Sequence, residues 1–480
     1  MSPRGGQPET PMLTFALATV VTSLAADPTP IRALLITGEN NHNWPYTSSV
    51  HKDTLEDCGR FVVDVTTEPS KALADAAGLA KYQVFVLDYN GKDWGTQAQQ
   101  NFANAVKGGT GVVVIHASNN AFRGWKEYEQ IVALCWENGV TGHGKFHEFD
   151  VKYVDKSHPI TSGLGDMKAH PDELYHKLVN PQKTEFKTIA TAHSSKESGG
   201  TGADEPMGIT LSFGKGRVFH TPLGHVWPGS TDQKVSVTDP QFKVFLARGA
   251  EWAATGNVTL ATTFTDARAH NTLSDQEKKD GWVLLFDGTS STGWRGFKEP
   301  GFPAKGWSVE GGTLRHEKGA GGGDIITTGQ YDNFELSLEW KVEAGGNSGI
   351  MYHVGAAEDY PWRTGPECQV LDNLKHADGK NPLTSAGSMY ALYAPKVDVA
   401  RPAMEWNRVR IVCKGTTIEH WMNGWKVVET DTASEEFKKR IAGSKFKDMP
   451  KFATLSKGHI SLQDHGDDVW YRNIKIRPIK

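Results

Sequence analysis

The period of the hydrophobic residues changes near residue 260, and that change divides what the chain can fold into. Before it, short apolar runs alternate with helix-like stretches: 31–37 (IRALLIT), 61–66 (FVVDVT), 82–87 (YQVFVL) and 111–115 (GVVVI). Strands that are apolar throughout, separated by helices over 48–58 and 96–106, predict a parallel sheet covered on both faces. After residue 280, short runs with period two lie between Gly-rich turns, at 282–286, 307–309, 333–342, 349–354, 368–371, 406–413, 417–422, 459–462 and 469–476. That pattern predicts an antiparallel sandwich or jelly roll with one helix, over 435–447. Residues 257–272 show neither period and read as a linker.

A length of 480 residues accommodates roughly three domains, or two generous ones. Lys plus Arg number 52 against 56 Asp plus Glu, a net charge of −4 that argues against a nucleic-acid binder. Residues 13–24 (LTFALATVVTSL) form an uncharged, mostly apolar run, too short for a bilayer span. Ser23, Ala25 and Ala26 supply small residues at its end, followed by Asp27-Pro28. The pattern predicts an export signal over 1–26, hence a periplasmic or secreted protein with no membrane span in the mature chain. The four cysteines (58, 135, 368, 413) form no CxxC pair and read as isolated packed thiols.

In the C-terminal half, polar residues stand where strands would be apolar. Glu367 and Gln369 are two apart and share one strand face. Asn347, His353, Asp372, His420, Trp421, Gln463 and His465 lie in or beside other strands. Carboxylates, amides and imidazoles beside an indole suit a sugar: the polar groups bond hydroxyls and the indole packs on the C–H face. Asn347 equally suits a turn, and His420 an exposed strand position.

The segments GWVLLFDGTSSTGW (281–294), GNSGIMYH (346–353), PECQVLDN (366–373), EWNRVRIV (405–412), IEHWMNGWKV (418–427) and HISLQDHGDDVWYRNIKI (459–476) resemble the 3-keto-disaccharide hydrolase family. That family is also described as 3-keto-glucoside 1,2-lyase and 3-keto-2-hydroxy-glucal hydratase. The resemblance implies a concanavalin-like jelly-roll sandwich over 273–480 that cleaves glycosides already oxidised at C3. A C3 ketone acidifies the C2 hydrogen, so a base removes it and the C1 substituent leaves by β-elimination. Hydration of the 2-hydroxy-glucal completes a net hydrolysis. Glu367, His420 and His465 are the acid/base groups of the matching segments, and either His465 or Glu367 takes the C2 proton. Asn347, Gln369, Asp372 and Gln463 would fix hydroxyls, while His353 stands where many relatives carry Arg. A divalent metal ion chelated by O2 and the C3 carbonyl oxygen is a candidate cofactor.

The segments ALLITGENNHNW (33–44), GTGVVVIHASNNAF (109–122), HPITSGL (158–164), DELYH (172–176) and GKGRVFHTPLGH (214–225) resemble the ThuA-like (trehalose utilisation) family. This is a branch of the class I glutamine-amidotransferase-like, flavodoxin-like α/β fold, here over 27–256. Amidotransferases of that fold carry a nucleophilic Cys on the sharp turn after a strand. His116 stands there, which excludes their chemistry. What remains is a polar cluster at the strand ends, His42, His116, Asp172, Glu173, His220 and His225, fit for a divalent metal or a sugar; with no local ligand pair such as HxxxH, a simple hydrogen-bonded polar pocket is the favoured reading. No G-x-G-x-x-G follows residues 31–37, so neither nicotinamide nor flavin is expected, and C3 oxidation falls to a separate dehydrogenase upstream. The rival reading is a non-catalytic carbohydrate-binding jelly roll attached to a ThuA-like domain, which would tolerate Glu367→Gln.

Overall fold

The computed structural model describes Met1 and residues 29–479; apart from Met1, the expected export signal lies outside the described residues. Five parallel strands, in the order Phe61–Thr66, Ile31–Ile36, Val84–Leu87, Gly111–Ile115 and Gly216–Thr221, open a nine-stranded sheet. Alternate residues of Ile31–Ile36 point to opposite faces, and both faces are covered. Ala33 and Leu35 pack with Tyr46, Val50 and Phe245 of the helices Trp44–Asp57 and Pro240–Thr255. Leu34 and Ile36 pack with Phe102 and Val106 of the helix Thr96–Gly108. Two covered faces require apolar residues at every position, which is why these runs are continuous.

The sheet does not stay parallel. Asp204–Phe213, Lys187–His193, His147–Tyr153 and Met167–Asp172 extend it in antiparallel pairing. In His147–Tyr153 only Phe149, Val151 and Tyr153 are buried, so this strand alternates because one face meets water. The expectation of a wholly parallel sheet is corrected on that ground.

The C-terminal half is built from two antiparallel sheets. One contains Trp307–Glu310, Thr313–His316, Val469–Pro478, Phe334–Val342, Asn407–Lys414, Thr417–Met422 and Trp425–Asp431 in that order. The other runs Trp294–Gly296, Ile325–Thr327, His459–Leu462, Asn347–Val354 and Glu367–Leu371. Leu336, Leu338, Trp340 and Ile411 of the first share one core with Ile350, Val370, Ile460 and Leu462 of the second.

Residues 257–272 carry no helix or strand, yet they are tied down along their length. Glu251 accepts the Thr259 and Leu260 amides at 2.8 and 3.0 Å, and Arg268 pairs with both Asp57 and Glu339 at 2.7 Å. This segment therefore clamps the halves together instead of tethering them loosely. Asp53 and Asp57, one helical turn apart, face Arg401 and Arg408 across the same seam. Lys234, itself buried, reaches Asp398 at 2.7 Å. All four cysteines are free thiols, three of them buried. Among the described residues, no helix is long and apolar enough to cross a membrane.

Candidate functional site

Glu367–Leu371 pairs antiparallel with Asn347–Val354, setting Glu367 opposite Met351, Gln369 opposite Gly349, and Leu371 opposite Asn347. Cys368, Val370 and Ile350 point into the shared core, so Glu367, Gln369 and Asn347 stand together on the other face. They line a pocket of about 320 Å³ with Gln463 and His465. The Gln369 amide, turned with its nitrogen toward the carboxylate, donates to Glu367 Oε1 at 3.2 Å and to the Ser348 carbonyl at 3.0 Å. Asn347 lies 3.3 Å from that amide and reaches His465 Nε2 at 3.4 Å. The result is one polar row from Glu367 to His465.

Burial raises the Glu367 pKa to about 8; Lys445 opposes the rise while Asp324 and Asp378 add to it. Lys445 is itself pushed down by burial, and its ammonium sits 4.1 Å above the Tyr390 ring. Asp324, also held by burial, rises to about 6. A carboxyl poised this high, facing a lysine, can take a proton from carbon more readily than an ordinary solvated one.

Four other residues expected here lie elsewhere. His420 is fully buried between the sheets, bonded to the Tyr352 hydroxyl at 2.9 Å and the Gly387 carbonyl at 3.2 Å. Burial lowers its pKa to about 4, so it is a neutral core histidine. Trp421, next on the same strand, points the other way into a cleft between the two halves, with the Arg410 guanidinium 4.1 Å over its ring. Asp372 accepts the Gly345 and Leu374 amides at 2.7 and 3.1 Å and shapes a turn. His353 sits at a bulge with φ +52° and bonds the Asp332 carbonyl at 2.8 Å.

In the N-terminal half, the carboxyl ends of the parallel strands bring His42, His116 and His225 together. His116 follows Gly111–Ile115 directly at φ +45°, the sharp turn where the related fold would carry its nucleophile. Its Nε2 is 3.2 Å from His42 Nε2 and 3.2 Å from His225 Nδ1. Glu173 bridges His225 at 3.1 Å and His143 at 3.0 Å. Burial and neighbouring imidazoles hold His42 down to about 3 and His116 well below its usual range. A pocket of about 270 Å³ opens onto the cluster, walled by Trp136, Trp227 and Tyr175.

Asp172 lies beneath this pocket instead of lining it. It accepts the Gly224 and His225 amides at 2.7 and 3.1 Å, fixing the loop that carries His225. Below it, His170 is wedged between Asp172 and Asp239; burial works against its charge, yet the two carboxylates hold its pKa up at about 9. His220 is apart from the cluster, bonded to the Val132 carbonyl at 2.9 Å, and burial lowers its pKa to about 4.

The family described as "3-keto-alpha-glucoside-1,2-lyase-like domain" matches residues 281–477, and that described as "Trehalose utilisation" matches 32–253. A 3-keto-disaccharide hydrolase of Bacteroides thetaiotaomicron is 33% identical over 228 residues, covering 41% of this chain and 78% of its own. The chain is a ThuA domain fused to a member of the 3-keto-disaccharide hydrolase family. Among solved structures, a protein described as a glycosyl hydrolase of Parabacteroides distasonis is 34% identical. It covers 44% of this chain and 100% of its own, with a TM-score of 0.41. A ThuA-like protein of Parabacteroides merdae is 36% identical over 50% of this chain and 98% of its own, with a TM-score of 0.44.

Four residues of the hydrolase-domain pocket escaped the sequence reading: Lys445, Tyr390, Trp362 and Met449. All come from connecting segments. The helix expected over 435–447 ends at Ala442, capped at Gly443, and the chain beyond it turns Lys445 to the pocket. In the ThuA domain the missed residues are Tyr175, His143, Trp136 and Trp227. Tyr175 sits inside the DELYH segment, so its place in that motif was the available signal.

Proposed function

We propose that the hydrolase domain, a concanavalin-like jelly roll, cleaves 3-keto-glycosides by elimination across C1–C2 followed by hydration. The observation that carries this reading is the buried Glu367 carboxyl, with its raised pKa, facing Lys445 in a sugar-sized pocket. Glu367 takes the C2 proton, and the C–H electrons form an enolate whose oxygen lies against the Lys445 ammonium. Those electrons return to form the C1–C2 double bond, expelling the C1 oxygen, which His465 protonates. Water then adds at C1 and the proton returns to C2. Lys445 supplies positive charge of the kind a divalent ion would bring to the enolate. Trp362, instead of Trp421, offers the indole face for the sugar. No step here oxidises C3, so a separate dehydrogenase must supply the substrate.

The test uses the full chain and a chromogenic 3-keto-glucoside, with the unoxidised glucoside as control. Aglycone release confined to the keto substrate, with transient absorbance of a conjugated enone, is expected. Sugar binding without release from either substrate would favour the recognition module instead.

Gly349 offers a sharper check. A Cβ at this position would lie 1.9 Å from Glu367 Oε1, so the carboxylate folds over a strand position that has no side chain. The obstructing atom is the end of a flexible side chain, and displacement is easier than unfolding. Gly349→Ala is expected to lower kcat by about tenfold or more, a part of the roughly 10²–10⁴-fold that a well-placed base contributes, with little change in the far-UV spectrum. Unchanged turnover would mean that the carboxylate position is immaterial.

A further inference from the structure

The hydrogen bonds of the three ThuA-domain histidines fix which ring nitrogens carry hydrogen. His116 Nδ1 is 2.7 Å from the Pro222 carbonyl, which can only accept, so Nδ1 is protonated and Nε2 bears a lone pair. His42 Nδ1 faces the side-chain oxygens of Asn40 and Asn41 at 3.3 and 3.2 Å. Both amides are oriented by other bonds: Asn40 Oδ1 accepts the His42 backbone N–H, and Asn41 Oδ1 accepts from Asn90. His42 Nε2 is therefore also a bare lone pair. The two Nε2 atoms meet at 3.2 Å with no hydrogen to share. His225 Nδ1 lies 3.2 Å from the same His116 nitrogen and 3.1 Å from a Glu173 oxygen, so it carries hydrogen while no ion is bound and passes that proton to Glu173 when it ligates one. The Tyr175 hydroxyl, 3.0 Å from His116 Nε2, can serve one of these electron pairs and no more. A cation at their centre removes the repulsion.

We propose that the ThuA domain binds one divalent transition-metal ion through His42 Nε2, His116 Nε2 and His225 Nδ1, with an open coordination position toward the adjoining pocket. All three donor atoms lie within 4.8 Å of one another. Tetrahedral bonds of about 2.05 Å would space the ligands roughly 3.3 Å apart. Two pairs already match that spacing, and the ion draws the third together. Imidazole donors favour zinc or cobalt over magnesium or calcium, which prefer oxygen. Carbonyl and amide oxygens behind the rings, and Asp172 behind the His225 backbone, supply the outer contacts that orient metal-binding imidazoles. The open side is walled by Trp136 and Trp227, with Asn41 and Asn120 beside them. That lining fits a small polyhydroxylated ligand that offers vicinal oxygens to the ion and a C–H face to an indole. This site is separate from Glu367 and does not depend on the hydrolase-domain reading.

The experiment strips the full-length protein with a chelator, reloads it with zinc or cobalt, and measures bound metal by elemental analysis. About one ion per chain is expected, with cobalt giving the visible absorption of a nitrogen-ligated centre. His116→Asn, in which Asn tolerates the left-handed backbone, and His42→Gln should each lose the ion. Both should still release aglycone from a 3-keto-glucoside if the reading of Glu367 is right; failure of that release alone would leave the metal result standing. Circular dichroism checks that each variant is folded, and either one suffices. No retained ion, or full retention in both folded variants, overturns the proposal. So does loss of the ion on Glu367→Gln, which would move it to the hydrolase domain.

Discussion

Glu367→Gln is expected to slow aglycone release from a 3-keto-glucoside by about 10²–10⁴-fold, the usual contribution of a positioned general base. Binding of the unreacted sugar should change far less, because the amide keeps the shape and an acceptor oxygen. The wild-type enzyme should show an acid limb in kcat/KM well above the ordinary Glu range of about 4.3, since the base works only once deprotonated. Stability should move the opposite way. Unfolded, the carboxyl ionises near 4.5; folded, it keeps its proton to about 8. A raised folded-state pKa gives a contribution that is fully present below the unfolded value and is lost as pH rises through the folded one. Relative to wild type, the Gln variant should therefore gain stability between pH 5 and pH 8, by on the order of a few kcal/mol. Melting curves of both proteins at the two pH values decide it, and a difference that does not grow with pH would refute the buried-acid description.

The second large effect lies at the seam between the domains. Asp53 accepts from Arg401 at 2.6 Å and also pairs with Arg408. Burial alone would raise its pKa, but Arg408 and Arg401 hold it below the usual carboxylate range. The Arg401 side chain is only 3% exposed, so removing its partner strands a guanidinium away from water. Asp53→Ala should cost about 3–5 kcal/mol, as for other broken buried pairs. For units of this size that is a fall in melting temperature of roughly 10 °C. Lys52→Ala, which removes only a partly exposed pair with Glu56 one helical turn away, should cost less than about 1 kcal/mol. Calorimetry on both variants separates the cases; equal losses would mean the seam contributes no more than surface charge does.

These predictions draw unequally on what could be read before the structure. Glu367 and Gln369 were legible because two polar residues at strand spacing must share a face, and a two-sheet core leaves one face free. The places of His420 and Trp421 depend on the partner sheet, which the sequence does not show. They alternate on one strand, so one entered the core and the other the interdomain cleft. Lys445 and Trp362 were invisible, since no period governs where a connecting segment lies.

The sequence by itself determined the two periods, hence a helix-covered sheet followed by paired antiparallel sheets, because the spacing of apolar residues decides how many faces a strand can bury. It also determined that His116 occupies the sharp turn after a strand. Tertiary structure alone decided that His42, His116 and His225 meet at 3.2 Å contacts, that His220 stays apart, and that residues 257–272 clamp the domains. Those outcomes depend on loops converging from strands far apart in the chain. Only the completed sheet fixes the distances between its strand ends.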